Sequence, residues 1–127
     1  MNTAATQWLQ RRALQAAPFE LCGFVMEAGD IIEIRNVSLA PKRHFKMDMQ
    51  EVVEKLSDRD DFIEGIWHTH PGGTTYPSQT DLDGIKCGAI QRNWDYWIVT
   101  ANSVNLYVPN NYAPQEHSYW EQFAERR

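Results

Sequence analysis

Cysteine, basic charge and long apolar runs are all scarce in this chain, and each shortage excludes a class of protein. Its two cysteines, Cys22 and Cys87, are too few for a disulfide framework. Twelve lysines and arginines face seventeen aspartates and glutamates, so the formal net charge is -5. This balance argues against a nucleic-acid partner, because such proteins present a basic surface. No apolar run approaches the ~20 residues that span a bilayer, so we expect no membrane partner.

The length and composition predict a small globular protein. The 127 residues, of which 43% are hydrophobic, predict a single domain over residues 1–127 with one core. Residues 1–17 lack the apolar stretch of a secretory signal, so we expect a cytoplasmic location. Two interpretations of the cysteines stay open. Both are small buried hydrophobes, or Cys22 joins a site, since it lies two residues after Glu20 and would share its strand face.

Apolar periodicity divides the chain into helices and strands. Helices are predicted over residues 3–17 and 47–57, and a third begins at Ser78 with Leu82, Ile85 and Ala89 on its inner face. Strands are predicted over residues 21–27, 31–37, 62–69, 96–100 and 104–108. The first two strands form a hairpin, and a short terminal helix is predicted over residues 119–126. Helices mixed with a largely sequential sheet predict an α/β or α+β sandwich.

A pair of histidines ends the third predicted strand. His68 and His70 point to the same face of that strand, because side chains alternate with period two. Asp81, eleven residues further on, supplies a third ligand if a turn brings it back. Three protein ligands and one water are typical of a catalytic zinc site. The pattern therefore predicts Zn²⁺ as cofactor and hydrolysis as chemistry, since zinc lowers the pKa of its bound water to about 7.

Two further residues have a functional and a structural interpretation. Ser78 and Asp81 stand three residues apart before an apolar helical run, which also fits a capping box. The two interpretations are compatible, because a carboxylate held at a helix N-terminus keeps one oxygen for a metal. Glu20 is a candidate general base beside the metal. A solvated acid at the edge of a strand fits the same position, and the residues alone leave this choice open.

Three segments together resemble one family, the JAMM (MPN+) zinc metalloproteases, in particular their small prokaryotic and phage members. The family motif is an upstream Glu, then His-x-His, seven residues, Ser, two residues and Asp, and this chain fits it without gaps. The resemblance extends from residue 16 to about residue 110. The segments are Glu20-Leu21-Cys22-Gly23, His68-Thr69-His70-Pro71 and Pro77-Ser78-Gln79-Thr80-Asp81.

The resemblance implies a fold and a role for each residue of the motif. The fold would be the cytidine-deaminase-like α/β three-layer sandwich, with a mixed central sheet flanked by helices. His68, His70 and Asp81 would bind zinc, Glu20 would act as general base and acid, and Ser78 would stabilise the oxyanion. The activity would be that of a zinc metallopeptidase or isopeptidase that hydrolyses a peptide or isopeptide bond in an extended protein tail.

The resemblance also implies partners and alternatives. The substrate would be the tail of a ubiquitin-like or sulfur-carrier protein, or phage tail components during assembly, which would place the chain in the cytoplasm or on the virion. A non-enzymatic phage tail-tip scaffold that retains the fold is the alternative. A zinc deaminase needs His-x-Glu and Pro-Cys-x-x-Cys, which the chain lacks. A thiol protease using Cys22 with His68 or His70 leaves Asp81 unexplained.

The loop after the histidines leads to a prediction about substrate size. Gly72 and Gly73 would let a substrate backbone approach the metal closely. Trp67 and Tyr76 would narrow the entrance, so small side chains beside the scissile bond are expected. The alternative is that the two glycines only allow the loop to turn.

Overall fold

Three helices and five strands make up the described part of the chain. The computed structural model describes residues 1–86 and 94–107. Several predicted features lie outside that part. They are the inner-face side chain of Ile85, the inner-face residue Ala89, Cys87 and the helix over residues 119–126. The elements are α1 (Thr3–Ala16), β1 (Cys22–Met26), β2 (Ile31–Ile34), α2 (Met49–Leu56), β3 (Ile63–Thr69), α3 (Gln79–Lys86), β4 (Asp95–Val99) and β5 (Val104–Tyr107).

The strands form one mixed sheet in the order β2-β1-β3-β4-β5. β1 pairs antiparallel with both β2 and β3, and β5 pairs antiparallel with β4. β3 and β4 are parallel, with Thr69 opposite Val99 at their carboxyl ends. The connection between these two strands contains α3, so the helix returns the chain to the end of the sheet at which β3 begins. The predicted mixed central sheet is confirmed.

Helices cover both faces of this sheet. On one face, Leu9 and Ala13 of α1 pack against Trp67 and Val99. On the other face, α2 packs through Val52 against a cluster on β1 and β2, and Leu82 of α3 packs against Ile66, Tyr96 and Ile98. The predicted three-layer α/β sandwich is therefore confirmed. Among the described helices, none has the length and apolar character needed to cross a bilayer.

Two predicted boundaries are wrong by a few residues because side chains end the elements. α2 begins at Met49 and not at residue 47, since the Asp48 side chain accepts a hydrogen bond from the backbone N–H of Gln50 and caps the helix. β2 ends at Ile34 and not at Val37. Beyond it, the side chain of Asn36 donates to two carbonyl groups of other segments, and the chain leaves the sheet.

A glycine lets Trp67 cross the neighbouring strand. The fully buried indole of Trp67 donates from Nε1 to the carbonyl oxygen of Ile32, 3.3 Å away. A Cβ atom at Gly23 would lie 2.7 Å from this nitrogen and 1.8 Å from the carbonyl oxygen. Any side chain at Gly23 would therefore displace the indole or the backbone of β2.

Candidate metal centre

Three ligand atoms from two elements converge at the carboxyl end of β3. His68 lies in the strand and His70 just after it, and Asp81 lies in the first turn of α3. The two Nε2 atoms are 2.8 Å apart. Oδ2 of Asp81 is 3.2 Å from Nε2 of His68 and 3.1 Å from Nε2 of His70. All three side chains are buried. The structure thus brings the three predicted ligands together, and they could hold a metal ion.

The separations of these atoms suit a small tetrahedral ion. Zinc binds nitrogen and oxygen at about 2.0–2.2 Å, which places tetrahedral ligand atoms about 3.3 Å apart. The observed separations of 2.8, 3.1 and 3.2 Å are close to this value. Two imidazoles and one carboxylate are also ligands that zinc commonly takes. The residues present therefore fit a zinc ion.

The second ring nitrogen of His70 orients its ligand atom. Nδ1 of His70 lies 2.9 Å from the carbonyl oxygen of Thr74. A carbonyl only accepts, so Nδ1 carries a proton, and a metal ion would take the place of the second proton on Nε2, which faces the cluster.

Aromatic rings hold His68 from both sides. Its ring stacks on Phe45 and Tyr96, with centroid distances of 4.7 and 5.3 Å. The side chain is fully buried, and this burial lowers the pKa of His68. The imidazole is therefore neutral at neutral pH, which is the form that binds metals. The sequence carried no local signal for Phe45, since it lies in the loop before α2.

Asp81 serves the helix and the cluster with the same oxygen. Its Oδ2 accepts from the N–H of Ser78 at 2.8 Å, while Oγ of Ser78 accepts from the N–H of Asp81 at 3.1 Å. The predicted capping box is confirmed. The carboxylate oxygen that faces both histidines is this same Oδ2. Burial opposes ionisation, but hydrogen bonds with His68 and His70 hold the pKa of Asp81 well below its usual range.

Glu20 is a buried acid, not a solvated one. Its exposed fraction is 7%, and it lies two residues before β1. Its N–H donates to the carbonyl oxygen of Pro41 at 2.8 Å, and its own carbonyl accepts from the Asn36 side chain at 2.9 Å. Burial raises the pKa of Glu20 to about 7; the charge of Asp81 adds to this increase and that of His70 opposes it.

One cavity collects the candidate catalytic residues. Its volume is about 160 Å³, and Glu20, His70 and Ser78 all line it. The glycine loop forms part of its wall. Gly73 has a φ of 87° and donates its N–H to the carbonyl of His70 at 3.0 Å. This turn needs a glycine at Gly73, as the alternative interpretation of the loop predicts.

The expectation for Trp67 is wrong, and the structure decides between the two interpretations of Cys22. Trp67 does not narrow the entrance, because it is fully buried on the opposite face of the sheet against α1. Of the predicted pair only Tyr76 is exposed. Cys22 is no nucleophile: its Sγ donates to the carbonyl of Ile34 at 3.4 Å, and burial raises the pKa of its thiol to about 12. It is a buried small hydrophobe, as one of the two interpretations held.

Comparison with known proteins identifies sequence and fold relatives. The profile of the family described as prokaryotic homologs of the JAB domain matches residues 4–117. A protein from Desulfitobacterium hafniense is similar in structure, with a TM-score of 0.62, 23% identity, and coverage of 83% of this chain and 78% of the relative. A protein from Salinibacter ruber has a TM-score of 0.53, 17% identity, and coverage of 90% and 82%. At these identities the two structures show the fold alone. No curated protein matches the chain.

Proposed function

Since this chain belongs to the prokaryotic homologs of the JAB domain, we propose that it is a zinc-dependent peptidase or isopeptidase. Its substrate is a peptide or isopeptide bond in an extended protein tail. The observation that carries the proposal is the convergence of two imidazole nitrogens and a carboxylate oxygen within 3.2 Å of one another. A buried acid, Glu20, shares a cavity with one of these imidazoles. Perturbed acids beside a set of metal ligands are typical of hydrolytic sites.

The residues His68, His70 and Asp81 hold the ion in this proposal. A zinc ion bound there supplies Lewis acidity, which polarises the scissile carbonyl and makes water a nucleophile at neutral pH. The protein's own contribution is to order the ligands before the reaction. The rings beside His68 and the carbonyl of Thr74 beside His70 restrict both imidazoles.

Glu20 moves the proton. With its pKa raised to about 7, the carboxyl group exists in both protonation states near neutral pH. It accepts the proton of the attacking water at a carboxylate oxygen and then gives it to the leaving amine.

Ser78 donates to the oxygen on which negative charge develops. Its Oγ already accepts a hydrogen bond from the N–H of Asp81. A hydroxyl has one proton to give and two lone pairs, so the proton of Ser78 stays available to the cavity that it lines. The capping bond thereby orients the donor, which is how an oxyanion-stabilising group lowers the barrier.

The alternative, a non-enzymatic phage tail-tip scaffold, is not favoured. Burying Glu20 without a paired cation costs free energy of folding, and a scaffold gains nothing from that cost. A scaffold also has no need for the buried polar cluster of His68, His70 and Asp81, which apolar residues could replace. Association with phage tail components, the cytoplasm or virion as location, and a single domain over residues 1–127 stay predictions.

The test combines metal analysis with hydrolysis. We expect about one zinc per purified chain, and loss of zinc in His68→Ala, His70→Ala and Asp81→Ala but not in the control His44→Ala. Undiminished zinc in the three ligand variants would rule out the site. Zinc-loaded protein should then cleave peptides ending in Gly-Gly-X, or folded ubiquitin-like and sulfur-carrier proteins with such tails, as followed by mass spectrometry. A zinc-loaded chain that cleaves none of them would contradict the enzymatic proposal.

A further inference from the structure

The entrance to the metal centre carries a positive charge that the proposed chemistry does not use. Lys42 lines the same cavity as Glu20, His70 and Ser78. Its ammonium lies 5.8 Å from the centre of the Phe19 ring, where cation–π attraction favours it. A cation held at the mouth of a small cavity raises the local concentration of anions.

The backbone fixes this lysine beside the proposed general base. The residue before it, Pro41, accepts the 2.8 Å hydrogen bond from the N–H of Glu20. The carbonyl of Ala40 accepts from two N–H groups further along the loop, at 3.0 and 2.9 Å, which closes a turn around Lys42. The loop therefore holds the backbone of Lys42 next to the site.

No acid of the described residues neutralises Lys42. The ion pairs within residues 1–86 and 94–107 engage other basic residues, with N–O distances of 2.7–3.2 Å. These paired residues are Arg12, Arg35, Lys55 and Arg59. Glu20 lines the same cavity and still forms no ion pair with Lys42. In a chain with a net charge of -5, an unpaired cation at this place favours a partner on the substrate.

We propose that Lys42 is a specificity-determining residue that binds a carboxylate of the substrate close to the scissile bond. This inference rests on the proposed function and narrows its substrate class. The preferred tails carry either their C-terminal carboxylate or an acidic side chain next to the bond that is cut. The cavity volume of about 160 Å³ resembles that of a cavity that holds benzene, about 150 Å³. It has room for a small residue with its carboxylate.

Binding of short peptides tests the proposal without requiring turnover. The full chain, once loaded with zinc and once stripped with a chelator, is titrated with N-acetylated Gly-Gly-Ala, its C-terminal amide, and Gly-Gly-Asp amide, and NMR shifts are followed. We expect the free acid to bind about fivefold more tightly than the amide, as for a partly exposed ion pair. Asp amide that binds like the free acid indicates a side-chain carboxylate; Asp amide that binds like the Ala amide indicates the C-terminal one.

Three variants assign the preference to Lys42. Lys42→Gln should remove the difference between acid and amide, and Lys42→Arg should keep it. Arg43→Gln removes the same charge from the next residue, which does not line the cavity among the described residues, and should also keep the difference. Equal affinities in the wild type, no binding in the millimolar range, or a preference that survives in Lys42→Gln would each overturn the proposal.

Cleavage gives a second readout that separates this proposal from the proposed function. In zinc-loaded protein the ratio of kcat/KM for the free acid to kcat/KM for the amide should fall towards one in Lys42→Gln. Zinc-loaded wild type that cleaves neither these peptides nor the folded proteins named above contradicts the proposed function. The binding preference of the chelator-treated chain is independent of hydrolysis and decides the role of Lys42 by itself.

Discussion

Replacing Glu20 by glutamine should stabilise the metal-free protein and strongly slow hydrolysis by the zinc-loaded protein. The side chain of Glu20 is only 7% exposed. Its ionised form therefore lowers the free energy of unfolding relative to its protonated form. In the folded chain burial raises the pKa of Glu20 from 4.5 to about 7. A carboxyl whose folded pKa is raised contributes its full stability below the unfolded pKa. That contribution is lost as the pH rises through the folded pKa.

The size of the effect follows from this difference. The pKa of Glu20 rises from 4.5 in the unfolded chain to about 7 in the folded chain. At about 1.4 kcal/mol per pKa unit, ionised Glu20 costs the folded state about 3 kcal/mol at most. Glutamine has nearly the same shape and never ionises. Metal-free Glu20→Gln should therefore be more stable than metal-free wild type at pH 8 by up to about 3 kcal/mol. The difference should be close to zero near pH 4.5.

Urea denaturation with a chelator present measures both proteins across this pH range. Glu64→Gln is the matched control, because Glu64 is an exposed acid on β3, and its effect should stay within about 0.5 kcal/mol. A Glu20→Gln variant with no pH-dependent gain over wild type would show that ionised Glu20 is not penalised by burial. Loaded with zinc, the same variant should keep its metal and lose about 10²–10⁴-fold in rate. Turnover at the wild-type rate would remove Glu20 from the mechanism.

Three further substitutions test the surroundings of the site. Ser78→Ala should slow hydrolysis about 10²-fold and cost about 1 kcal/mol through the lost cap; a melting curve measured beside the kinetics separates the two effects, and an unchanged rate would refute the oxyanion role. Phe45→Leu removes a ring stacked on His68 and should weaken zinc binding about tenfold in competition with a chelator; unchanged affinity would refute a role for the stack. Gly23→Ala should cost about 3 kcal/mol or more in urea, against little change in the control Gly72→Ala, whose surroundings are open; equal stabilities would contradict the close approach at Gly23.

The metal ligands could be predicted because their relation is local. Period-two alternation places His68 and His70 on one face whatever the rest of the sheet does. A helix that begins directly after Ser78 then brings Asp81 back within one connection. The same alternation places Trp67 on the opposite face from His68, because adjacent residues of a strand point to opposite faces. Trp67 therefore cannot line the entrance.

The surroundings of the ligands could not be predicted because they depend on strand order. Tyr96 reaches His68 only because β4 pairs with β3 in parallel, with Ile98 opposite His68. The burial of Glu20 depends on a loop from another segment, which Pro41 ties to its N–H. No periodicity within a short window reports such pairings. The sequence predicts that an acid stands at this position, and only the fold determines its pKa.

The alternation along β3 places the residues that stabilise the fold and the residues of the metal centre on opposite faces of one strand. Ile66 and His68 lie on the face that carries Tyr96 and the metal centre, whereas Trp67 packs in the layer against α1. Substitutions on the α1 side change how strongly the domain holds together, and they leave the reacting groups where they are. A lineage could therefore gain stability by repacking that layer and keep its chemistry. Stability and activity conflict most where the same residues determine both. In β3 they depend on different residues, so selection can act on each face of the strand separately.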